Sequence, residues 1–330
     1  MKEYKPPYSI TEDMLNHVAS ISEKLGEINV YHNLDAKPHL RKNNRIKSIH
    51  SSLKIEANSL SMGEVKDVID GRIVLGPECE IQEVKNAYEA YEMIKLVNAF
   101  SLKDLQKIHR VMANRLELDA GNFRNGDEGV FNGDECIFMA PPAHLVQGLM
   151  SDLFLWMKKN KNMVHPLIMS AVFHHEFVSI HPFTDGNGRT ARLWHTVILS
   201  KWNSVFEYIP IESQIEKFQD GYYKAIADCH VNGSSNVFIE FMLKQIDAVV
   251  GETVTQIRRP DDTLSEYVKK LLHVMDFEVP YSAATIMQML GIKSRETLRK
   301  NYLDPALRMG LVIRTIPDKP NSKNQRYIKK

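Results

Sequence analysis

His181-Pro182-Phe183-Thr184-Asp185-Gly186-Asn187-Gly188-Arg189-Thr190-Ala191-Arg192 is the stretch on which the reading of this chain turns. Gly186-Asn187-Gly188 allows a sharp backbone turn and lets N–H groups approach a ligand with no Cβ in the way. The run from Arg189 to Ser200 has helical periodicity, so the turn delivers those N–H groups to a helix N-terminus, a ready site for phosphate. Arg189 and Arg192 are three apart, share a helix face and form a fork suited to the outer phosphates of a nucleotide. Asp185 is a single carboxylate beside that site, which is how Mg²⁺ is commonly held when waters and phosphates complete its shell. His181 ends the apolar segment 166–180, where a neutral imidazole is placed to take a proton from an attacking hydroxyl. A glycine turn with a solvated arginine pair and a core histidine is the plainer reading. Base, metal ligand, anion nest and cation pair falling in order within one short run favour phosphate transfer.

Working outward, residues 9–110 carry the periodicity of several amphipathic helices. Ser61-Met62-Gly63-Glu64 is a capping box opening one of them, and Ser101 opens another. Between 121 and 142 the pattern changes: Gly126, Gly129 and Pro141-Pro142 bracket short apolar pieces, with Ile137-Phe138-Met139-Ala140 the best strand and Asn132-Gly133 a hairpin turn. Helix returns over 144–203 and continues to about 250. Arg258-Arg259-Pro260-Asp261-Asp262 is a polar, proline-bearing junction. The expected organisation is a helical region 1–95, a core 96–250 and a small domain 262–330. In the last, Leu264–Met275 and Ser282–Leu290 read as helices, and Gly291-Ile292-Lys293 as the turn of a helix-turn-helix. Ser294 caps a basic helix with Arg295, Arg299 and Lys300. Leu311–Ile316 and Arg326-Tyr327-Ile328 form a two-stranded wing.

The run His181–Arg192 resembles the signature of the Fic family, H-P-F-x-[D/E]-G-N-G-R-x-x-R, and matches every defining position. Gly121-Asn122-Phe123-Arg124, Pro141-Pro142, the helix leading into Ile180-His181 and Tyr222-Tyr223-Lys224-Ala225 are similar to the family core, so the resemblance covers roughly 40–245. It implies a mainly α fold, a Fic-type helical bundle with a small β-hairpin flap, here followed by a winged helix-turn-helix domain. It further implies a protein adenylyltransferase using ATP and Mg²⁺. His181 would be the general base toward a Ser, Thr or Tyr hydroxyl of a target protein, and Asp185 the metal ligand. Asn187 with the backbone of Gly186 and Gly188 would hold the α-phosphate, and Arg189 and Arg192 the β- and γ-phosphates. Thr190 is counted with the nucleotide-binding residues. Ile137, Phe138 and Met139 resemble the flap that aligns a target segment by strand addition. Tyr222 and Tyr223 resemble part of an adenine pocket or, equally, two aromatics packing a helix face.

A second feature lies at Ser51-Ser52-Leu53-Lys54-Ile55-Glu56-Ala57-Asn58. On a helix, Ile46, Ile49, Leu53 and Glu56 form one stripe, with Ser52 beside Glu56 at i, i+4. A carboxylate on an apolar stripe is costly to bury unless it meets a cation; otherwise the helix end turns Glu56 toward solvent. The segment resembles the family's inhibitory motif [S/T]-x-x-x-E-[G/N], in which the glutamate pairs with the second motif arginine, here Arg192. Ser52 and Glu56 match, and Ala57 departs from the usual Gly or Asn. The implied resting state is autoinhibited.

Apolar residues make up 43% and charged residues 25% of the 330, ordinary for a globular protein. The formal charge of +1 hides an asymmetry: residues 258–330 carry 15 Lys+Arg against 8 Asp+Glu, leaving 27 against 33 for the rest. A basic tail on an acidic body raises contact with DNA, or with protein, through residues 262–330. Cys79, Cys136 and Cys229 have no metal or disulfide spacing, and there is no signal-peptide pattern or bilayer-length apolar run. These point to a cytoplasmic protein without membrane contact; a homodimer is left open. His174-His175-Glu176 does not have the zinc-binding spacing H-E-x-x-H and reads as core packing or support of the site, as do His109 and His165 as structural histidines. Other nucleotidyl or phosphoryl transfer, removal of AMP from a modified target, and a DNA-binding regulator remain as alternative functions.

Overall fold

The computed structural model describes residues 4–30, 38–132, 135–258, 265–276, 279–309, 311–319 and 322–329; within these, side chains at 29–30, 38–40, 130–132, 135–138 and 256–258 are not described. Contacts divide the chain into two compact units, Met1–Val254 and Thr255–Lys330. The first holds α1 (Glu12–Val30), α2 (Pro38–Ile55), α3 (Met62–Ile69), α4 (Glu78–Glu92) and α5 (Leu102–Met112). A hairpin of β1 (Gly129–Asn132) and β2 (Glu135–Met139) follows. Then come α6 (Ala143–Asn160), α7 (Pro166–Ile180), α8 (Asn187–Trp202), α9 (Ile211–Lys217), α10 (Gln219–Asn232) and α11 (Asn236–Arg258), whose residues from Thr255 onward are counted with the second unit. The mainly helical fold expected from the sequence is the fold observed.

Local chemistry explains the element boundaries. Ser61 accepts from the Glu64 N–H while the Glu64 carboxylate receives the Ser61 N–H, a complete capping box. Ser101 caps α5 through the Asp104 N–H. Pro166 sits in the first turn of α7, where its missing N–H is harmless. α7 and α8 are buried on nearly every side, with Phe173, Phe177, Trp194 and Leu199 all 0% exposed, and they make the most extensive helix pairing of the fold. A buried acid that the sequence did not signal ties four segments together. Glu212 of α9 accepts from Ser48 of α2 (2.8 Å) and Tyr91 of α4 (2.7 Å), with Thr196 of α8 at 3.5 Å. Burial raises its pKa.

In the hairpin, Gly129 pairs with Met139 and Asn132 with Glu135, with an irregularity between Val130 and Phe131. The expected turn residue Gly133 lies outside the described residues.

The second unit runs α12 (Glu266–Val274), β3 (Tyr281–Ser282), α13 (Ala283–Leu290), α14 (Arg295–Thr297), α15 (Asp304–Arg308), β4 (Val312–Arg314) and β5 (Arg326–Lys329). Its sheet has the order β3-β5-β4. Two strands were expected; β3 is too short to leave a period in the sequence. Gly291 turns between α13 and Ser294 at φ +66°. The basic helix is not one regular cylinder: residues 298–303 form a wide π-type turn, and the Asp304 N–H reaches the Arg299 carbonyl. Pro305, which follows, has no N–H to give, so the turn absorbs the missing bond. Val268, Leu271, Ile286, Leu298 and Leu303 are the centre of a separate core.

The end of α2 shows why Ala57 is unusual. Asn58 N–H bonds the Leu53 carbonyl and Ala57 N–H the Lys54 carbonyl, the Schellman pattern, which puts Ala57 at φ +66°. A Cβ is disfavoured there. Ala57→Gly is expected to stabilise the larger unit by about 1 kcal/mol, read as a raised melting temperature.

Candidate active site at the N-terminus of α8

His181 is the residue just past α7 and adopts a left-handed conformation, φ +51° and ψ +61°. Arg124, only 2% exposed, holds it there. Its Nε donates to the His181 carbonyl (2.7 Å), its Nη1 to the Gly126 carbonyl (2.7 Å), and its Nη2 to the carbonyls of Pro141 and Ile180. One buried guanidinium thus caps α7, secures the backbone of His181 and pins both feet of the hairpin. The His181 ring is mostly buried, and desolvation outweighs a hydrogen bond to the Val178 carbonyl, so its pKa is lowered. That bond orients one ring nitrogen and leaves the other as acceptor.

The loop after His181 is folded by its own side chains. Asn187 accepts from Phe183 N–H (3.0 Å) and donates to the Phe183 carbonyl (2.6 Å). His109, expected to be structural, receives the Gly121 N–H on Nδ1 (2.9 Å), which leaves Nε2 to donate to the Asp185 carbonyl (2.9 Å). Its ring stacks on Phe183 at 3.6 Å. Gly186 caps α8 at φ +75°, where L side chains are strained, and no side chain caps that end. The first N–H groups of α8 are therefore available to an anion.

Both motif arginines are buried, Arg189 to 5% and Arg192 to 2% exposure, and both meet carboxylates of the chain. Arg192 donates Nη2 to Glu56 Oε1 (2.7 Å) and to the Ser52 carbonyl (2.9 Å), and Nε to Ser52 Oγ (3.0 Å). Burial opposes its charge, but Glu56 and other neighbours more than offset this, so its pKa is raised. The Glu56 side chain remains 31% exposed while the Arg192 side chain is 1% exposed, so the pair opens toward solvent from the acid's side. A Cβ at Gly188 would collide with Glu56 Oε1 and come within 3.0 Å of Arg192 Nη1. Any larger residue there would have to displace the ion pair that rests on it.

Arg189 bonds Asp185 through Nη2 and Glu83 Oε1 through Nη1 (2.7 Å). Glu83 was missed in the sequence because α4 is far away in the chain and carries five acids with nothing to single one out. Its other oxygen accepts from Asn58 Nδ2 (2.8 Å), so one carboxylate joins Arg189 to the loop that follows Glu56. That loop is held further by Glu80, which accepts from Ser59 N–H and Oγ (both 2.7 Å), and by Gln219, which donates to the Ile55 carbonyl (3.1 Å).

The remaining expected residues fall differently. Thr190 is fully buried and its hydroxyl has no partner, because one helical step beyond Arg189 turns it into the core; it does not join the site. Tyr222 is 2% exposed, its hydroxyl 2.9 Å from His174 Nε2, while Tyr223 is 47% exposed and meets it edge-on at 5.3 Å. Both feel the charges of Glu56 and Arg192. Ile137 and Phe138 belong to β2, where only the backbone is described; Met139 is 57% exposed. Asp185, 53% exposed at its side chain, is kept ionised: burial opposes this, but Arg189 and the Gly186 N–H outweigh it and lower its pKa. Among the described residues no cluster of three or more His, Cys, Asp or Glu could hold a metal. One carboxylate suits Mg²⁺ carried in with phosphates, not a resident ion.

These features define a helical scaffold in which a glycine-rich helix start, a partly buried histidine and two buried arginines come together. The Fic/DOC family model matches residues 99–199, and the model for the "Filamentation induced by cAMP protein Fic-like, C-terminal domain" matches 266–328. A solved Fic family protein from Desulfovibrio desulfuricans G20 is 40% identical, with 99% of this chain and 98% of that one covered and a TM-score of 0.75. The chain belongs to the Fic/DOC family. It is similar to "Protein adenylyltransferase Fic" of Nematostella vectensis, 30% identical over 222 residues (62% of this chain, 48% of that protein). It is also similar to "Protein adenylyltransferase fic-1" of Caenorhabditis elegans, 24% identical over 227 residues (66% and 42%). The chain thus spans less than half the length of these two curated relatives.

His195, fully buried between α8 and α7 with Nδ1 3.1 Å from the Ser170 carbonyl, has its pKa lowered by burial to about 4. The unfolded chain binds that proton near 6.5, so the group's contribution is complete above that value and is lost as pH falls toward 4. Stability is expected to drop by up to about 3 kcal/mol from this group over that window. His195→Gln should flatten the slope of melting temperature against pH.

Proposed function

We propose that the protein is an ATP-dependent protein adenylyltransferase held in an inhibited state by Glu56. The observation that carries this is the ion pair between Glu56 and Arg192 within a complete base-and-nest motif. In the reaction, the substrate hydroxyl loses its proton to the acceptor nitrogen of His181. Its oxygen attacks the α-phosphorus in line as the bond to the β-phosphate oxygen breaks. AMP becomes esterified to the target and pyrophosphate departs. The N–H groups at the start of α8 receive the developing phosphate charge, and Arg189 and Arg192 hold the leaving phosphates. Asn187 contributes by shaping the loop, since both its amide atoms are engaged with Phe183. Mg²⁺ bound with the nucleotide at Asp185 would neutralise phosphate charge. Proton transfer to His181 contributes about 10²–10⁴ in rate. Its lowered pKa supports a neutral base at physiological pH. The adenine site beside Tyr223 and alignment of the target along β2 belong to the same reading.

Glu56 occupies the arginine that the γ-phosphate would need, and its loop is fastened to α4 and α10. Removal of the acid has two expected effects. Glu56→Gly raises transfer of label from α-labelled ATP at least tenfold, and His181→Ala abolishes it in both backgrounds. Because Arg192 is then a buried charge without its acid, Glu56→Gly also lowers the melting temperature of the free protein, and ATP restores more of it than in the wild type. Unchanged transfer with Glu56→Gly while His181→Ala remains dead would sink the inhibitory reading.

Glu83 makes a second hold on the same machinery. Glu83→Gln removes an anion from Arg189 and weakens the anchor of Asn58, and ATP is expected to bind several-fold more tightly by calorimetry. Weaker binding would instead mean that Glu83 aligns Arg189 for the phosphates.

A further inference from the structure

The charge in residues 258–330 is not spread evenly over the second unit. α14, the wide turn after it and α15 form a continuous helical run over 295–308. Leu298, Tyr302, Leu303 and Ala306 face the core of this unit, and Arg295, Glu296, Arg299 and Lys300 face solvent. Beside the exposed face lies a cleft of about 750 Å³. Arg295 and Arg299 line it from the helix, and Lys323, Arg326 and Tyr327 from the β5 side, with Ser282 at the cap of α13. Among the described residues the one acid lining it, Glu296, is taken by Lys300 at 2.8 Å. Arg299 has Asp304 only at 3.7 Å and is 66% exposed, so it retains freedom to turn outward.

Two walls of a cleft lined with cations, one helical and one from a hairpin, fit a rigid, repeating polyanion better than a folded protein surface. A protein partner would be matched by apolar anchors, and the cleft's lining is mainly polar. We propose that this cleft binds the phosphodiester backbone of double-stranded DNA, with the face of Arg295 and Arg299 entering the major groove and Lys323 and Arg326 on the adjacent phosphates. The wide turn at 298–303 is part of this surface. It lets Leu298 and Leu303 both reach the core while Arg295 and Arg299 stay on one outer face. The site is separate in residues from the nest at α8, so it would place the enzyme on a nucleic acid without taking part in transfer.

The test uses the full chain and a fluorescein-labelled duplex of about two helical turns, read by anisotropy. At 50 mM salt the expected affinity is on the order of 10⁻⁵ M or tighter, falling steeply with salt. Arg326→Ala and Lys323→Ala, on the exposed wall, should each weaken binding to every duplex and shallow the plot of log affinity against log salt by about one. Arg295→Ala should weaken binding while reducing any preference among duplex sequences. Circular dichroism verifies that each variant is folded, and Lys319→Ala, outside the cleft, serves as the charge-matched control. No binding at 50 mM salt, equal binding to poly-glutamate, or equal loss with Lys319→Ala overturns the proposal. An acidic protein surface is the partner indicated if poly-glutamate competes as well as duplex. Failure here leaves the transfer reaction untouched, because His181 and Glu56 are tested by labelled ATP alone.

Discussion

The first unit is organised around the problem of a guanidinium that cannot reach water. Arg192 lies in the first turns of α8, 2% exposed, against the most apolar helix of the fold. A cation so placed must be given an anion or it destabilises the structure by several kcal/mol. The chain supplies one from the end of α2, and much of the surrounding arrangement follows. α2 ends just before Glu56, the turn after it is left-handed at Ala57, and a side chain at Gly188 would push against the Glu56–Arg192 pair. Asn58, Ser59 and the Ile55 carbonyl then fasten the turn to α4 and α10. A polyphosphate would meet the same electrostatic requirement. In the proposed reading, Glu56 and the substrate's phosphates are thus two solutions to one desolvation problem.

Arg124 and Arg189 extend the same logic. Arg124 is buried against backbone carbonyls alone, so its charge is spread over the C-terminal end of α7 and the feet of the hairpin. That end of a helix carries negative partial charge, which favours a cation. Arg189 sits between Asp185 and Glu83. The pairing couples the motif loop, the turn after Glu56 and α4 through short, charge-assisted bonds. A shift of α2 would have to break the Asn58–Glu83 bond as well as the Glu56 pair. The two arginines are therefore expected to be released together.

Much of this was legible without coordinates, and the reason is local chemistry. The capping box at Ser61, the N-cap at Ser101, the Gly291 turn, the hairpin over 129–139 and the buried α7 each follow from residues near one another in the chain. The dense motif at 181–192 carried its own context, so its arrangement as turn and helix start was readable. Ser52 and Glu56 were visible because four residues set them on one side of a helix. Thr190 was read as part of the site by adjacency alone, and helical rotation puts it in the core. β3 was not visible because two residues cannot show an alternation.

The sequence by itself determined the family of the chain, its mainly helical fold, and a glycine-rich turn that brings a histidine, an acid and two arginines close together in the chain. Only the tertiary structure decided which acids those arginines meet. Glu83 and Glu212 look like any other acid of an amphipathic helix, and their partners lie roughly a hundred or more residues away in some cases, so no spacing rule connects them. The same holds for Arg124, whose four carbonyl partners come from three separate segments. Local order is written in neighbouring residues. The pairing of buried charges is settled by which helices pack together, because desolvation penalises every arrangement that leaves one of them alone.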